Sequence, residues 1–178
     1  MQLDQEVKGA MVPEIKRILY ATDLSKNSSY AFYHAVNLAR RFEAKITILH
    51  AIEPIPVYVE AYVANVAERI EKEDREKTIG HIRALLQEFC RKVESQIGSP
   101  CLLLVSNILV RIGHPVEEIL KTADDEGSDA IVLGSHGKGF LKQAFLGSVS
   151  SGVLHRSQKP VFIIPIPSET ESIQWDEI

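Results

Sequence analysis

Five short apolar runs, separated by longer amphipathic segments, are the pattern that most constrains the fold of this chain. The runs cover residues 15–21, 46–51, 102–111, 130–134 and 161–165. They do not alternate cleanly between apolar and polar residues, which is typical of strands in a parallel sheet that helices cover on both faces. The pattern therefore predicts five buried, parallel strands.

The segments between the runs carry apolar residues at helical spacing. The third helix is predicted to begin at Pro115, a residue suited to the first helical position, and to stop at Gly127. The fourth is predicted to begin near Gly147 and to end before Pro160. One helical face of the first predicted helix carries Ala31, Ala35, Leu38, Ala39 and Phe42, and one stripe of the second carries Ile82, Leu85, Phe89, Val93 and Ile97.

The order βαβαβαβαβ predicts a single α/β domain, because right-handed crossovers wind such a chain into one parallel sheet. We expect a Rossmann-like, doubly wound sheet of five strands in the order 3-2-1-4-5, with helices on both faces. The domain is expected to span residues 14–166, between an N-terminal extension (1–13) and a C-terminal tail (167–178). Ligands of such sheets bind at the carboxyl ends of the strands, where the winding direction reverses. Asp23, after strand one, and the loop after strand four should therefore share one crevice.

Charge and cysteine content argue against several classes of protein. The formal net charge of -4 gives no global electrostatic reason to bind nucleic acid or an acidic membrane surface. Cys90 and Cys101 are too few and too far apart for a CxxC pair or a zinc cluster. The apolar runs are shorter than the roughly 18 residues of a membrane span. We expect a cytoplasmic protein with no nucleic-acid partner and no membrane partner.

A stretch rich in glycine and serine follows the fourth predicted strand. It begins with Gly134-Ser135-His136-Gly137-Lys138-Gly139 and ends with Gly147-Ser148-Val149-Ser150, where the fourth helix starts. Glycines let backbone N–H groups converge on a phosphate, and a helix start adds unpaired N–H groups and a positive dipole end. The hydroxyls of Ser148 and Ser150 can donate further hydrogen bonds. A lone GxxG would indicate an ordinary turn, whereas this longer pattern arises by chance in under about one chain in a hundred of this length.

Two common nucleotide motifs are excluded at this loop. A Walker A motif requires GxxxxGK followed by Ser or Thr, whereas Gly139 is followed by Phe140. A dinucleotide fingerprint requires GxGxxG, and Lys142 stands where its third glycine would be. The loop is therefore neither a P-loop nor a Rossmann dinucleotide loop.

In this loop the chain resembles the universal stress protein family, whose ATP-binding members carry GxxG, nine residues, and then Gly-Ser or Gly-Thr. Gly134, Gly137, Gly147 and Ser148 match that pattern in full. Ala21 departs from the family, which often has Pro before Thr-Asp. Over residues 15–165 the similarity extends to Arg17-Ile18-Leu19-Tyr20 before Thr22-Asp23, to Leu49-His50-Ala51, and to Gly113-His114-Pro115.

The resemblance implies a ligand and a set of contacts. In the family, the Asp after the first strand contacts ribose or adenine, the residue after the strand-two His meets adenine through its backbone, and the loop holds the phosphates. ATP is then the expected ligand, with ADP or AMP as alternatives. A Mg²⁺ ion could accompany the phosphates, and Asp23 could bind it. The predicted nucleotide-binding residues are Asp23, Ala51, Gly134, Ser135, His136, Gly137, Lys138, Gly147, Ser148, Val149 and Ser150.

The resemblance also implies a regulatory or stress-response module that acts as a homodimer. The last predicted strand, Val161-Phe162-Ile163-Ile164-Pro165, would lie bare at an edge of the sheet, and such edges are usually covered or paired. In the family this strand pairs across a two-fold axis. Covering of the edge by the C-terminal tail is the alternative.

Other interpretations of single residues stay open. Asp23, within Thr-Asp-Leu-Ser, is also typical of a helix cap. His136 could move a proton near a phosphate, which would make the protein a slow ATPase or a nucleotidyl-transfer enzyme. Lys138 and Lys142 could screen phosphate charge or be ordinary surface lysines. For His50 and His114, packing or backbone hydrogen bonding is expected.

Overall fold

A five-stranded parallel sheet forms the centre of the structure, a computed structural model that describes residues 13–25, 28–53, 67–98, 100–137 and 146–166. The strands are β1 (Arg17–Ala21), β2 (Lys45–Ile52), β3 (Val105–Ile112), β4 (Ala130–Gly134) and β5 (Val161–Ile164). They lie in the order β3-β2-β1-β4-β5, and each neighbouring pair is parallel. The predicted fold class and strand order are confirmed.

In the described segments, four helices follow the strands: α1 (Ser28–Phe42), α2 (Ala67–Ile97), α3 (Pro115–Asp125) and α4 (Ser148–Arg156). As predicted, α3 begins at Pro115 and ends before Gly127, which has a φ of 57° that favours glycine. Helix α4 begins directly after Gly147 and ends before Pro160, also as predicted. The apolar spacing therefore identified these two helices, and the prolines and glycines beside them identified their limits.

The helices cover both faces of the sheet, and the side chains of β1 alternate between the two resulting cores. Ile18 and Tyr20 are buried in the core that contains α1 and α2. Leu19 and Ala21 are buried in the core that contains α3 and α4. Burial on both faces explains why the strands are almost continuously apolar in the sequence.

The third strand begins later than the sequence predicted. Residues Leu102–Leu104 form a short 3-10 helix, in which the N–H of Leu104 donates to the carbonyl of Cys101 at 2.9 Å. The strand starts at Val105, which pairs with Ile46 near the start of β2.

Some predictions concern residues outside the described part of the chain. These are the N-terminal extension up to residue 12, the C-terminal tail from residue 167, and the lysines Lys138 and Lys142. Of the helices that are described, none combines the length and the apolarity needed to cross a membrane.

The register of the sheet places three loops side by side. Ala21, the last residue of β1, pairs with Leu49 of β2, and Tyr20 pairs with Val132 of β4. The carboxyl ends of β1, β2 and β4 therefore lie at the same edge of the sheet. The loops that follow them meet at the point where the winding direction reverses, between β1 and β4.

Candidate functional site

A cavity of about 630 Å³ opens at the carboxyl ends of β1, β2 and β4. Its walls come from the loop after β1, the last residues of β2, the loop after β4 and the first turn of α4. Pro115 and Ile119 of α3 close one side. The volume falls within the roughly 300–1,000 Å³ that is usual for small-molecule sites.

The loop after β1 holds the carboxylate of Asp23 at this cavity. Oδ1 of Asp23 accepts the backbone N–H of Ser25 at 3.0 Å, and the N–H of Leu24 donates to the Thr22 hydroxyl at 3.1 Å. Leu24 has a φ of 58°, a left-handed conformation that costs a non-glycine residue on the order of 1 kcal/mol. The two side-chain hydrogen bonds hold the loop in this conformation. Asp23 thus makes a local turn ahead of Ser28, the first residue of α1, and also lines the cavity.

Gly137 and Asp23 meet where the loops after β4 and β1 touch. A Cβ atom at position 137 would overlap Oδ2 of Asp23 and would lie 2.9 Å from its Cγ. Atoms that are not bonded to each other do not approach so closely. The missing side chain at position 137 is therefore what allows the carboxylate to lie against the glycine-rich loop.

The two ends of the glycine-rich stretch are joined by a backbone hydrogen bond. The N–H of Gly147 donates to the carbonyl of Ser135 at 2.7 Å. A Cβ atom at position 147 would lie 3.3 Å from the Cα of His136 and 3.3 Å from the Ser135 carbonyl oxygen, which is a tight fit. Glycine at this position lets the start of α4 lie against the end of β4.

The first turn of α4 faces the cavity with its backbone N–H groups. Gly147 is the N-cap residue, and it has no side chain that could make a capping hydrogen bond. The first hydrogen bond of the helix runs from the N–H of Ser151 to the Gly147 carbonyl at 2.9 Å. The N–H groups of Ser148, Val149 and Ser150 precede this ladder, and all three residues line the cavity. Together with the helix dipole, they form a site suited to an anion.

Two of the predicted serines use their hydroxyls to build the loop. Oγ of Ser150 donates to the Gly134 carbonyl at 2.7 Å. Oγ of Ser135 accepts the backbone N–H of Ile166 at 3.1 Å and lies 3.0 Å from Nδ1 of His136. Ser148, by contrast, is exposed and lines the cavity.

Much of the remaining lining of the cavity is apolar, and Ala51 lies half-buried there near the end of β2. The cavity therefore combines backbone donors with apolar surface that suits a flat, weakly polar group. The apolar lining residues include Ala51, Pro115, Ile119, Leu133 and Ile166.

Tyr20 lies beneath the cavity, where its hydroxyl donates to the Ser28 carbonyl at 2.7 Å. Burial raises the pKa of Tyr20 far above its usual range, so the ring stays neutral and keeps its donor. This hydrogen bond connects the end of β1 to the start of α1.

The expected backbone hydrogen bond of His50 is confirmed. Its Nδ1 lies 2.8 Å from the carbonyl oxygen of Thr22, so the ring ties the end of β2 to the loop after β1. His114 is the N-cap residue of α3, and its carbonyl accepts the N–H of Glu118 at 3.0 Å.

Within the described residues, every predicted site residue lines the cavity except Ser135, which lies buried directly behind it. Lys138 is outside that part of the chain. Thr22 and Ser25 also line the cavity, and neither was among the predicted nucleotide-binding residues, although both lie beside Asp23 in the loop that was placed at the crevice. The sequence contains no signal for Ile166, whose position depends on how the chain turns after β5.

Across the described segments, no group of three or more His, Cys, Asp or Glu side chains is arranged to hold a metal ion. The carboxylates that line the cavity are Asp23 and Glu53, one from the loop after β1 and one directly after β2. Of these two, Asp23 is the one that contacts the glycine-rich loop.

Comparison with known proteins points to one family. A model of the universal stress protein family matches residues 14–165 of this chain. The universal stress protein MJ0577 of Methanocaldococcus jannaschii is 32% identical over 158 residues, which cover 84% of this chain and 94% of that protein. The solved structure of MJ0577 has a TM-score of 0.67 and covers 87% of this chain and 99% of that one.

More distant solved structures share the fold. A universal stress protein family member from Arabidopsis thaliana, solved with AMP bound, has a TM-score of 0.55 at 16% identity, with 89% of this chain and 97% of that chain covered. A universal stress protein solved in complex with cAMP has a TM-score of 0.55 at 20% identity, with 85% and 98% covered. At such identities the likeness establishes the architecture alone.

Proposed function

This chain belongs to the universal stress protein family, and from that premise we propose that it binds an adenine nucleotide, ATP foremost, at the carboxyl end of its sheet. One observation carries the proposal: a single cavity of about 630 Å³ combines an apolar wall, the Asp23 carboxylate and the start of α4. These three features match, in turn, a purine, a ribose and a chain of phosphates.

The apolar wall is the proposed adenine site. Ala51 lies near the end of β2, where its backbone N–H and C=O can meet the edge of the ring. Ile119 of α3 and Leu133 of β4 offer apolar surface to the faces of the ring. A purine fits such a slot, because its faces are weakly polar whereas its edge carries donors and acceptors.

Asp23 is the proposed ribose contact. A carboxylate at the end of the first strand can accept hydrogen bonds from both ribose hydroxyls. Ser25 holds one of its oxygens in place at 3.0 Å, so the side chain loses little further freedom when a ligand binds. Asp23 is also the carboxylate that could reach a Mg²⁺ ion brought in on the phosphates.

The glycine-rich loop and α4 are the proposed phosphate site. Gly137 and Gly147 leave room for backbone N–H groups to approach an anion, and the exposed Ser148 adds a hydroxyl. The dipole of α4 favours negative charge at this end of the helix. Ser150 contributes its backbone N–H, since its hydroxyl is already bonded to Gly134.

We further propose that the protein acts as a nucleotide-dependent homodimer in the cytoplasm. The strand β5 lies at the end of the strand order and pairs with β4. The carbonyls of Pro160 and Ile164 accept N–H groups of Ile131 and Ser135, so the alternate residue Ile163 directs its backbone groups to the open edge. The free, buried thiols of Cys90 and Cys101 fit a reducing compartment.

The slow-ATPase hypothesis is supported by the position of His136, which lines the cavity at the phosphate loop. Its Nδ1, however, lies 3.0 Å from the hydroxyl of Ser135. A catalytic base is typically oriented by a carboxylate in that position. We therefore propose nucleotide binding rather than turnover as the main activity.

Calorimetric titration of the purified chain with ATP, ADP and AMP tests the proposal, and GTP and adenosine serve as controls. We expect saturable binding of at least one adenine nucleotide and weaker binding of GTP. Mass spectrometry of ligand released from freshly purified protein provides an independent measurement. If neither method detects an adenine nucleotide, the proposed function is wrong.

A further inference from the structure

Three large apolar side chains are exposed at the amino ends of the strands, at the opposite end of the sheet from the cavity. Phe42 ends α1 and has 41% of its surface exposed. Leu102 and Leu103, in the 3-10 helix before β3, have 37% and 71% of their surfaces exposed. We call these three residues the amino-end patch. A single exposed leucine is ordinary, whereas a group of large apolar side chains is typical of a surface that binds another segment.

Two lysines connect the amino-end patch to the point where the chain enters the sheet. The N–H of Lys45, the first residue of β2, donates to the Lys16 carbonyl at 2.8 Å, and Nζ of Lys45 donates to the Leu103 carbonyl at 2.8 Å. Nζ of Lys16 donates to the Phe42 carbonyl at 3.4 Å. The 3-10 helix also packs against α1. Lys16, directly before β1, is therefore bonded to one side of the patch and, through Lys45, to the other.

The chain enters the domain on the same face of the sheet as the patch. Ile15 packs against the core that contains α1 and α2, and Leu104, directly after the patch, packs against that core as well. The N-terminal segment, residues 1–12, ends directly before Pro13 and is therefore close to Lys16 in the chain. An extended chain spans about 3.3 Å per residue, so this segment is long enough to cross three side chains.

The N-terminal segment carries apolar residues at a regular spacing. Leu3, Val7 and Met11 recur at every fourth position, a spacing that places side chains on one side of a helix. Asp4 and Glu6 add two carboxylates beside this stripe. Basic side chains near the patch can meet such carboxylates, which favours the segment as its occupant. These basic residues are Lys16, Arg40, Arg41 and Lys45.

The size of the patch favours a segment of the same chain over a second copy. Three partly exposed side chains offer roughly a few hundred Å², whereas a stable interface between two proteins buries about 800 Å² on each partner. A tethered segment needs less area, because its effective concentration beside the patch is high.

We propose that the N-terminal segment folds back onto the domain and covers the amino-end patch with Leu3, Val7 and Met11. The segment is then a part of the folded domain rather than an independent extension. This inference does not depend on the proposed function, because the patch and the cavity lie at opposite ends of the strands.

Paramagnetic relaxation measured by NMR tests the contact in the full chain. A nitroxide attached to Gln5→Cys lies beside the apolar stripe and leaves its three residues unchanged. Cys90 and Cys101 are the only native cysteines and both are buried, so the reagent reaches the new thiol. We expect the nitroxide to broaden the methyl signals of Leu102 and Leu103 and to leave those of residues at the cavity sharp.

A matched pair of variants shows whether the broadening depends on the patch. Leu103→Gln should abolish the broadening at Leu102, because the most exposed apolar side chain of the patch is lost. Leu154→Gln is the control, since Leu154 is 47% exposed but lies on α4, at the other face of the sheet. This control should leave the broadening unchanged. Absence of broadening at the patch, or broadening that survives Leu103→Gln, would overturn the proposal.

A mixed sample separates docking within one chain from docking between two copies. One chain carries the nitroxide without isotopes, and the other carries isotopes without the nitroxide. We expect the patch signals to stay sharp in this mixture. Broadening of these signals would show that the segment of one copy covers the patch of another, and the intramolecular proposal would be wrong.

Urea denaturation of the full-length chain provides an independent test. The pair of substitutions Leu3→Gln and Val7→Gln should lower the urea midpoint, and so should Leu103→Gln. All three substitutions together should lower the midpoint by clearly less than the sum of the two shifts, because the same contact is lost only once. Additive shifts, or no shift from the substitutions in the segment, would contradict the proposed contact.

Discussion

Gly152 of α4 lies so close to Val116 of α3 that a Cβ atom at position 152 would be 2.8 Å from Cγ2 of Val116. The two helices cover the same face of the sheet, and their contact sets how closely α4 approaches the cavity. Glycine at this position is therefore required by packing, although glycine lowers the stability of a helix interior.

Replacing Gly152 with Ala should destabilise the protein by about 1–3 kcal/mol, because the added methyl group forces α3 and α4 apart. Nucleotide affinity should fall as well, since the first turn of α4 moves with the helix. Urea denaturation and ATP titration measure the two effects. The double variant Gly152→Ala, Val116→Ala removes the obstructing Cγ atoms and should recover part of the loss. Equal effects of Gly152→Ala in both backgrounds would contradict the packing argument.

Replacing Gly137 with Ala should weaken ATP binding by about tenfold or more, which corresponds to at least roughly 1.4 kcal/mol. The reason is that the new Cβ atom would displace the carboxylate of Asp23 from the loop. Gly80→Ala is the matched control, because Gly80 lies exposed in α2 and a Cβ atom there would meet nothing within 4 Å. That control should leave affinity unchanged and should raise stability by about 0.5–1 kcal/mol.

Stability should fall at alkaline pH because burial raises the pKa of Cys90 to about 12. The thiol of an unfolded chain has a pKa of about 8.5, so below that pH both states are protonated and the contribution is constant. Above it the unfolded state loses its proton first, so unfolding becomes easier as the pH rises toward the folded pKa. Urea denaturation across this range should show the decline, and Cys90→Ala should reduce the slope. Equal slopes in the two proteins would refute the assignment.

Replacing Ile163 with Pro should convert the proposed dimer into a monomer. The backbone of Ile163 faces the open edge of β5, so the loss of its N–H leaves the hydrogen bonds to β4 in place. Ile163→Val keeps the N–H and should remain a dimer. Size-exclusion chromatography with light scattering measures the mass of each. If the wild-type chain is itself a monomer, the dimer proposal is wrong.

The sequence predicted the sheet because burial on both faces makes the central strands β1 and β4 almost continuously apolar. The strand order then followed from general rules of connection, and it was enough to place Asp23 beside the loop that contains Gly137. The start of β3 was predicted too early, because residues 102–104 are as apolar as a strand. These residues form a 3-10 turn instead, closed by the hydrogen bond from the N–H of Leu104 to the carbonyl of Cys101, and their apolarity does not reveal that turn.

The roles of the serines were beyond the reach of sequence reasoning for a related reason. Ser135, Ser148 and Ser150 look alike in the sequence, as small hydroxyl residues in a phosphate loop. In the structure their hydroxyls differ in their hydrogen bonds: that of Ser150 bonds to Gly134, and that of Ser135 bonds to Ile166, beyond β5. Gly134 and Ile166 are both distant in sequence from the serines that they bond to, so the spacing of the residues does not identify these hydrogen bonds.

Ile166, the last residue that the structure describes, lines the cavity, whereas Arg17 begins β1 at the opposite end of the strands. A fluorescent dye attached at position 166 would therefore lie at the cavity and report occupancy by the proposed nucleotide through a change in emission. The same dye attached before residue 17 would serve as a silent reference. The architecture thus supplies the two attachment points of an optical sensor for the bound molecule.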